Sequence, residues 1–395
     1  MSATLHMAQP LPRNGRRLDL GGDRIRLLMI TNEPLPGDEP GLREAYASML
    51  NAGEIASFRA VAPAPIAAER GRAAALAELV EVARAEQPNV VLVLSPTRLA
   101  HEAAWVQRFL SLIGDPAVLY WEGDVWHRLA KPVNRSVRAW LAAADVVFTV
   151  ARRPQDDLFR RLGARDVRFI PHTYCHVQFR EGEEQDPRDE AEIVYDVVVI
   201  GSGLAHFGLV SRMPGARDRA RLVRRLRRQA DLRVAVFGSG WRGRCAKGRL
   251  PYSEQVHAIR RALVSANWDY FPKYESYVSD RLATSLIAGR VHVTTGHRGL
   301  KWLPGEEAGL FLEPSVPAVI GRLRQLVGLP VEHQLELGAR AHRWVKNRLS
   351  DRQAARYMLG AVDERLLGAL PSEPWHRLVD EWPHRHGLAR GLTAR

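Results

Sequence analysis

Val194-Tyr195-Asp196-Val197-Val198-Val199-Ile200-Gly201-Ser202-Gly203 lies near the middle of the chain, and its reading decides the fold. A run of β-branched residues ends in glycines, and an Arg-rich helical pattern follows from about Ala216 to Gln229. Strand, glycine turn and helix in that order build an anion site, because glycines let backbone N–H groups approach a phosphate and a helix N-terminus favours negative charge. A flavin or nicotinamide site begins the same way. That fingerprint then requires a third small residue where His206 stands, and an acid at the end of the next strand. Here the next strand, Leu232-Arg233-Val234-Ala235-Val236-Phe237, runs into Gly238-Ser239-Gly240-Trp241 with no carboxylate. An oxidoreductase therefore remains an alternative only, one that a bound yellow colour would reveal.

Working outward, strand and helix signals alternate on both sides of this stretch. Ile25 to Ile30 reads as the first strand, with a Pro/Gly-rich loop from Thr31 to Gly41. Ile55 to Val61 reads as a second strand, and residues 66–86 carry Leu76, Leu79, Val80 and Ala83 at helical spacing. Val90 to Leu94 is unbroken and apolar, the pattern of a strand covered on both faces. Ala117 to Trp121 and Asp145 to Val150 are further strands. Beyond the centre, Val256, Ile259 and Leu263 predict a helix, Trp268–Phe271 a short strand, and Ser279 to Gly289 a helix closed by glycine. Val291 to Thr295 is another strand, and Ser350 with Gln353 forms a capping box for a long helix through Leu367.

The expected fold is α/β with two doubly wound, Rossmann-like halves. The expected organisation is a disordered tail over 1–24, an N-terminal domain over 25–180 and an acidic linker over 181–193. A C-terminal domain over 194–350 follows, then a helix and surface tail over 351–395.

The formal charge of +13 points toward polyanions, yet only five of the 57 basic residues are lysines (Lys131, Lys247, Lys273, Lys301, Lys346). Arginine dominates everywhere, so the excess reads as solvated charge that attracts anionic substrates, and no nucleic acid is expected. Cys175 and Cys245 have no metal-ligand spacing and no disulfide framework. Residues 1–24 have no apolar signal-peptide core, and no apolar run reaches the ~18–20 residues of a membrane span. These features fit a cytoplasmic protein.

The second half resembles the CgeB-type (spore-maturation protein) branch of the GT-B glycosyltransferases. The pieces that carry the likeness come in order: Ile200-Gly201-Ser202, then Val236-Phe237-Gly238-Ser239-Gly240-Trp241, Ser279-Asp280-Arg281-Leu282 and Ala288-Gly289. Gly299-Leu300 to Leu312 and Arg352-Gln353-Ala354-Ala355-Arg356-Tyr357 complete the set. The first half is similar more loosely, through Tyr120-Trp121-Glu122-Gly123-Asp124 and the run from Leu162 to His172. The resemblance implies two Rossmann-like domains facing a cleft and sugar transfer from a nucleotide-activated donor to a small-molecule or peptidic acceptor, with no other cofactor.

It also implies that Gly201, Ser202 and Gly203 lie against the donor's diphosphate. Arg281, beside Ser279, would supply phosphate charge, and Gly238, Ser239 and Trp241 would line the nucleoside pocket. Thr284 stands where many relatives carry a ribose-binding Glu. A threonine offers one uncharged hydroxyl in its place, which keeps an inactive sugar-nucleotide-binding module as a further alternative.

Transfer needs a base for the acceptor hydroxyl, and the candidates are Glu122, Asp124 and His127, in the loop after a strand's carboxyl end. The competing reading has these acids capping the following turn. Glu122-Gly123-Asp124 mimics a metal-binding D-x-D motif, but that motif belongs to a single-domain architecture, so no metal is expected. His172 is a weaker candidate, and His292 and His297 read as surface or packing residues.

Overall fold

A computed structural model of the chain describes residues 20, 22–35, 37–127, 130–188, 192–203, 213–371 and 375–376, and the backbone alone at 205–206 and 209–210. The described chain divides into two compact units. One comprises Met1–Thr149, Arg153–Val167 and Ala355–Gly368; the other comprises Val150–Arg152, Arg168–Ala354 and Ala369–Arg395. The expected disordered tail over 1–24 lies almost wholly outside the described residues, as does most of 371–395.

The first unit is built on a six-stranded sheet of β1 (Arg26–Ile30), β2 (Ser57–Val61), β3 (Val90–Leu94), β4 (Ala117–Glu122), β5 (Val146–Thr149) and β6 (Asp166–Phe169). The order is β2-β1-β3-β4-β5-β6, and the pairings from β2 through β5 are parallel. The chain steps outward from β1 to β2 and then reverses to β3, so the sheet switches direction at the β1/β3 crevice. All five residues of β3 are buried, as its unbroken apolar run requires. Trp140, Phe109 and Phe159 fill the core of this unit.

The second unit repeats the plan with β7 (Tyr195–Ile200), a short antiparallel pair β8 (Ala205–His206) and β9 (Leu209–Val210), then β10 (Val234–Phe237), β11 (Ala246–Gly248), β12 (Ala262–Ala266), β13 (Val291–Thr295) and β14 (Leu310–Glu313). Its main sheet has the order β11-β10-β7-β12-β13-β14, all parallel. Here the reversal falls between β7 and β12. Loops after the carboxyl ends at such a crevice are where open α/β sheets bind ligands.

Several local expectations change. Residues 66–86 do not form one helix: Pro63–Arg70 and Arg72–Glu86 are separated at Gly71, whose φ of 86° lies outside helical space. The helix predicted around Leu263 stops at Arg260, and β12 takes Leu263 and Val264. The strand expected at Trp268–Phe271 is instead the loop beyond β12. Short buried runs fit either period, and here pairing with β7 and β13 decides.

The acidic stretch read as a linker contains the helix Arg180–Glu184, with Gly182 buried. Pro187 and Asp186 offer their carbonyls to Arg290 and Arg260 at 2.8 and 2.9 Å, so this polar segment is fastened through its backbone. One arm of the capping box forms, with Ser350 N donating to Gln353 Oε1 at 2.8 Å, while Gln353 N donates to Ser350 O rather than to its hydroxyl. Its helix ends at Leu359 rather than Leu367, because Gly360 is packed under Leu367, which belongs to the following 3-10 turn. Neither cysteine forms a disulfide, and both are buried. Among the described residues no helix is long and apolar enough to cross a membrane.

Candidate functional site

β7 delivers Gly201 with φ at 150°, a conformation that side chains rarely adopt. A Cβ at Gly201 would stand 3.1 Å from Arg281 Nε and 3.2 Å from Arg219 Nη1. Two guanidiniums therefore close on one glycine at the carboxyl end of the central strand. The loop itself is fixed by its backbone: Trp241 Nε1 donates to Gly201 O at 2.6 Å, Gly201 N to Phe237 O at 2.9 Å, and Gly203 N to Ser239 O at 2.8 Å. Ser239 and Ser202 share a 3.0 Å hydroxyl contact. Gly238 is required for this approach, because a Cβ there would meet Gly201 O at 2.4 Å. The structure thus brings Gly201, Ser202, Gly203, Gly238, Ser239 and Trp241 together. Trp241 lies with its ring against Gly203, which makes it a brace for the loop.

Arg219 went unnoticed in the sequence because it sits in the Arg-rich helix Ala216–Leu226. Arg217, Arg221 and Arg224 of that helix are exposed, whereas Arg219 is 2 % exposed. Its Nε donates to Trp268 O at 2.7 Å, and its guanidinium lies 3.5 Å from the Tyr270 ring centroid. Both terminal nitrogens, Nη1 and Nη2, have no hydrogen-bond partner. Burial pushes its pKa down, and the neighbouring Arg281 adds to that. A buried cation with two unused donors is a costly arrangement unless an anion completes it.

Arg281 follows Ser279, the N-cap position of the helix Asp280–Ile287. Its Nη1 donates to Asp280 Oδ1 at 2.8 Å, and that carboxylate holds its pKa up. Arg281 Nε is buried without a partner. Ser279 accepts a 3.0 Å hydrogen bond from Asn267 Nδ2, which also donates to Asp269 Oδ1 at 2.8 Å. Burial opposes the charge on Asp269, but His297, Arg219 and Ser279 outweigh it and hold its pKa low. Asn267 and Asp269 emerge from β12, the strand that the helical spacing concealed. Thr284 is fully buried, and its hydroxyl donates to Asp280 O at 3.0 Å in its own helix.

In the first unit Glu122 ends β4 and is wholly buried. Its Oε1 accepts from Ser95 Oγ at 2.7 Å and Asp124 N at 3.1 Å, and its Oε2 from Tyr120 OH at 2.7 Å. Burial pushes its pKa up to about 7, the hydrogen bonds from Ser95 and Tyr120 pull down, and Asp124 pushes up again. Asp124 is 60 % exposed and pairs with Lys131 Nζ at 2.6 Å, while Lys131 also lies over the Trp126 ring. His127 pairs with Lys131 through its backbone, and its Nδ1 accepts from Ala130 N at 3.2 Å. The loop thus holds a buried carboxyl that braces the turn and an accessible carboxylate on its rim.

A family model described as glycosyl transferase-like matches residues 217–360. That span holds Arg219, Asp269 and Arg281, and stops short of the Gly201 loop. No curated protein matches the chain. Among solved structures, sucrose-phosphate synthase from Thermosynechococcus elongatus is similar at 13% identity and a TM-score of 0.53, over 87% of this chain and 99% of its own. Anabaena HepE in complex with UDP-glucose has 10% identity and a TM-score of 0.50, over 87% and 99%. The DNA-modifying enzyme β-glucosyltransferase, solved with and without uridine diphosphoglucose, has 10% identity and a TM-score of 0.53, over 85% and 99%.

The fold is GT-B. Two Rossmann-like parallel sheets with these neighbours match that architecture. At such identities the likeness is one of fold, and the chemistry rests on the side chains. β10 ends at Phe237 and passes into Gly238, so the carboxylate of a dinucleotide site is absent from that strand end.

Proposed function

We propose that this GT-B chain is a glycosyltransferase of the CgeB-type branch that takes a sugar from a nucleoside-diphosphate donor. The observation that carries the reading is the pair Arg219 and Arg281, whose unpartnered N–H groups converge on Gly201 at the switch point of the second sheet. A diphosphate supplies the acceptor oxygens and charge that these groups lack, and guanidinium geometry suits it. Structures similar in fold hold UDP-glucose or uridine diphosphoglucose, which supports a uridine nucleotide as the first donor to test.

In the transfer step the acceptor oxygen bonds to the anomeric carbon and its proton passes to a base. The bond from that carbon to the diphosphate breaks, and the departing phosphate keeps the electron pair. Arg219 and Arg281 would neutralise that growing charge without a metal ion. Of the two acids at the end of β4, Asp124 is the one that an acceptor hydroxyl, on a small molecule or a peptide, would reach, and Glu122 supports the turn that presents it.

A thermal-shift and calorimetry panel of UDP, GDP, ADP and their glucose conjugates tests the donor. Binding of a nucleoside diphosphate that Arg281→Ala abolishes would support the reading. Failure of every nucleotide to bind the folded protein would end it.

A further inference from the structure

His297 follows β13, beside the carboxyl end of β12, and in the sequence it reads as an ordinary surface or packing residue. Its side chain is only 6 % exposed, and neither ring nitrogen has a hydrogen-bond partner. Nε2 faces Asp269 Oδ2 at 3.7 Å, an ion-pair distance too long for a hydrogen bond. Asp269 is itself buried, receives Asn267, and is within the electrostatic reach of Arg219. Nδ1 is left buried without a hydrogen-bond partner, and Asp269 is the residue that faces both His297 and the charge of Arg219. A packing histidine normally satisfies at least one nitrogen. His292, near the start of β13, does so through a 2.7 Å contact with Ser265 Oγ.

Building on the sugar-nucleotide reading, we propose that His297 is a third ligand of the donor's diphosphate. The ring lies with Nε2 toward Asp269, and its Nδ1 is the edge that a diphosphate would meet. When the sugar–oxygen bond breaks, the electron pair remains on the phosphate oxygen, and Nδ1–H donates a hydrogen bond to the leaving diphosphate. No proton need be transferred. Asp269 acts through His297 and is a positioning residue.

Calorimetry with inorganic pyrophosphate, UDP, uridine and UDP-glucose tests this on the full chain. His297→Ala should weaken pyrophosphate and UDP by about tenfold to a hundredfold, the range for one hydrogen bond to a charged group, and leave uridine unchanged. His297→Asn places an amide N–H near the position of Nδ1 and should recover much of the loss. In the wild type, ring resonances of His297 should move on saturation with pyrophosphate, a readout that does not require any variant to fold. Unmoved resonances, or equal pyrophosphate affinity in folded His297→Ala, would overturn the proposal. So would a loss confined to UDP-glucose, which would place His297 against the sugar. Arg219→Met serves as the control: if it too binds pyrophosphate normally, the phosphate site itself is wrong, and not only the role of His297.

Discussion

Arg219 and Arg281 come from different helices and present Nη1 and Nε at nearly equal distances, 3.2 and 3.1 Å, from the point where a Cβ on Gly201 would stand. Burial lowers the pKa of Arg219, and the like charge of Arg281 adds to that. Asp280 compensates Arg281 through a direct 2.8 Å contact, whereas Arg219 rests on the Trp268 carbonyl, the Tyr270 face and the fields of Asp269 and Asp280. Arg219 Nη1 and Nη2 and Arg281 Nε are left without hydrogen-bond partners there.

This asymmetry separates binding from stability. Arg219→Met removes a buried charge while retaining the apolar stem, so the melting temperature should change little. UDP affinity should fall at least about tenfold, as expected for a lost charged hydrogen bond of roughly 1.5–3 kcal/mol. Arg281→Ala should show a similar binding loss. Calorimetry beside a thermal melt distinguishes the two effects, and a large loss of melting temperature in Arg219→Met would show that its main role is structural.

Gly201→Ala combines two penalties. The backbone at φ 150° is strained for alanine, on the order of 1–3 kcal/mol, and the new methyl presses on both guanidiniums. A folded variant with lower melting temperature and more than about tenfold weaker UDP binding is expected. Unchanged affinity would mean that the ligand does not use this loop.

Glu122 makes stability depend on pH. Its folded pKa is raised from 4.5 to about 7, so between these values the folded chain holds a proton that the unfolded chain has released. This contribution is full below about 4.5 and is lost as pH rises through 7, amounting to on the order of 3 kcal/mol. Denaturant titrations should show the wild type losing stability from pH 5 to pH 8. Glu122→Gln, neutral throughout, should flatten that slope. An equal slope in both proteins would contradict the assigned burial.

Thr284 gives the smallest expected effect. Its hydroxyl is already bonded to Asp280 O, and its side chain has no exposed surface. Thr284→Val should change UDP-glucose affinity by less than about threefold. A tenfold loss would restore it as a contact of the donor.

Both sheets and the glycine loop were legible because unbroken β-branched runs and glycine clusters have one good structural solution. β12 was not, since Val256, Ile259 and Leu263 keep helical spacing across a helix–strand boundary. Missing it concealed Asn267 and Asp269. Arg219 had a readable signal: it stands three, four and seven residues before Leu222, Val223 and Leu226, on the buried stripe of its helix. Abundant arginine obscured it. His297 had no such signal, because its meaning comes from Asp269, which is distant in sequence and close only once β12 and β13 pair.

Asp124 carries the last prediction, because it divides the roles of the two acids in one loop. Glu122 is sealed by three hydrogen bonds, and a base with no exposed surface cannot meet an acceptor hydroxyl without rearrangement. Asp124 is open to solvent and pairs with Lys131 Nζ at 2.6 Å. Asp124→Asn should therefore lower turnover by about 10²–10⁴, the usual range for a general base, while UDP-glucose binds as before. Lys131→Met leaves the carboxylate in place without its partner, and a milder loss is expected. If Asp124→Asn transfers sugar at full rate while Glu122→Gln is inactive yet folded, the buried carboxyl is the base and the turn must open to use it. If both variants are fully active, the base lies outside this loop.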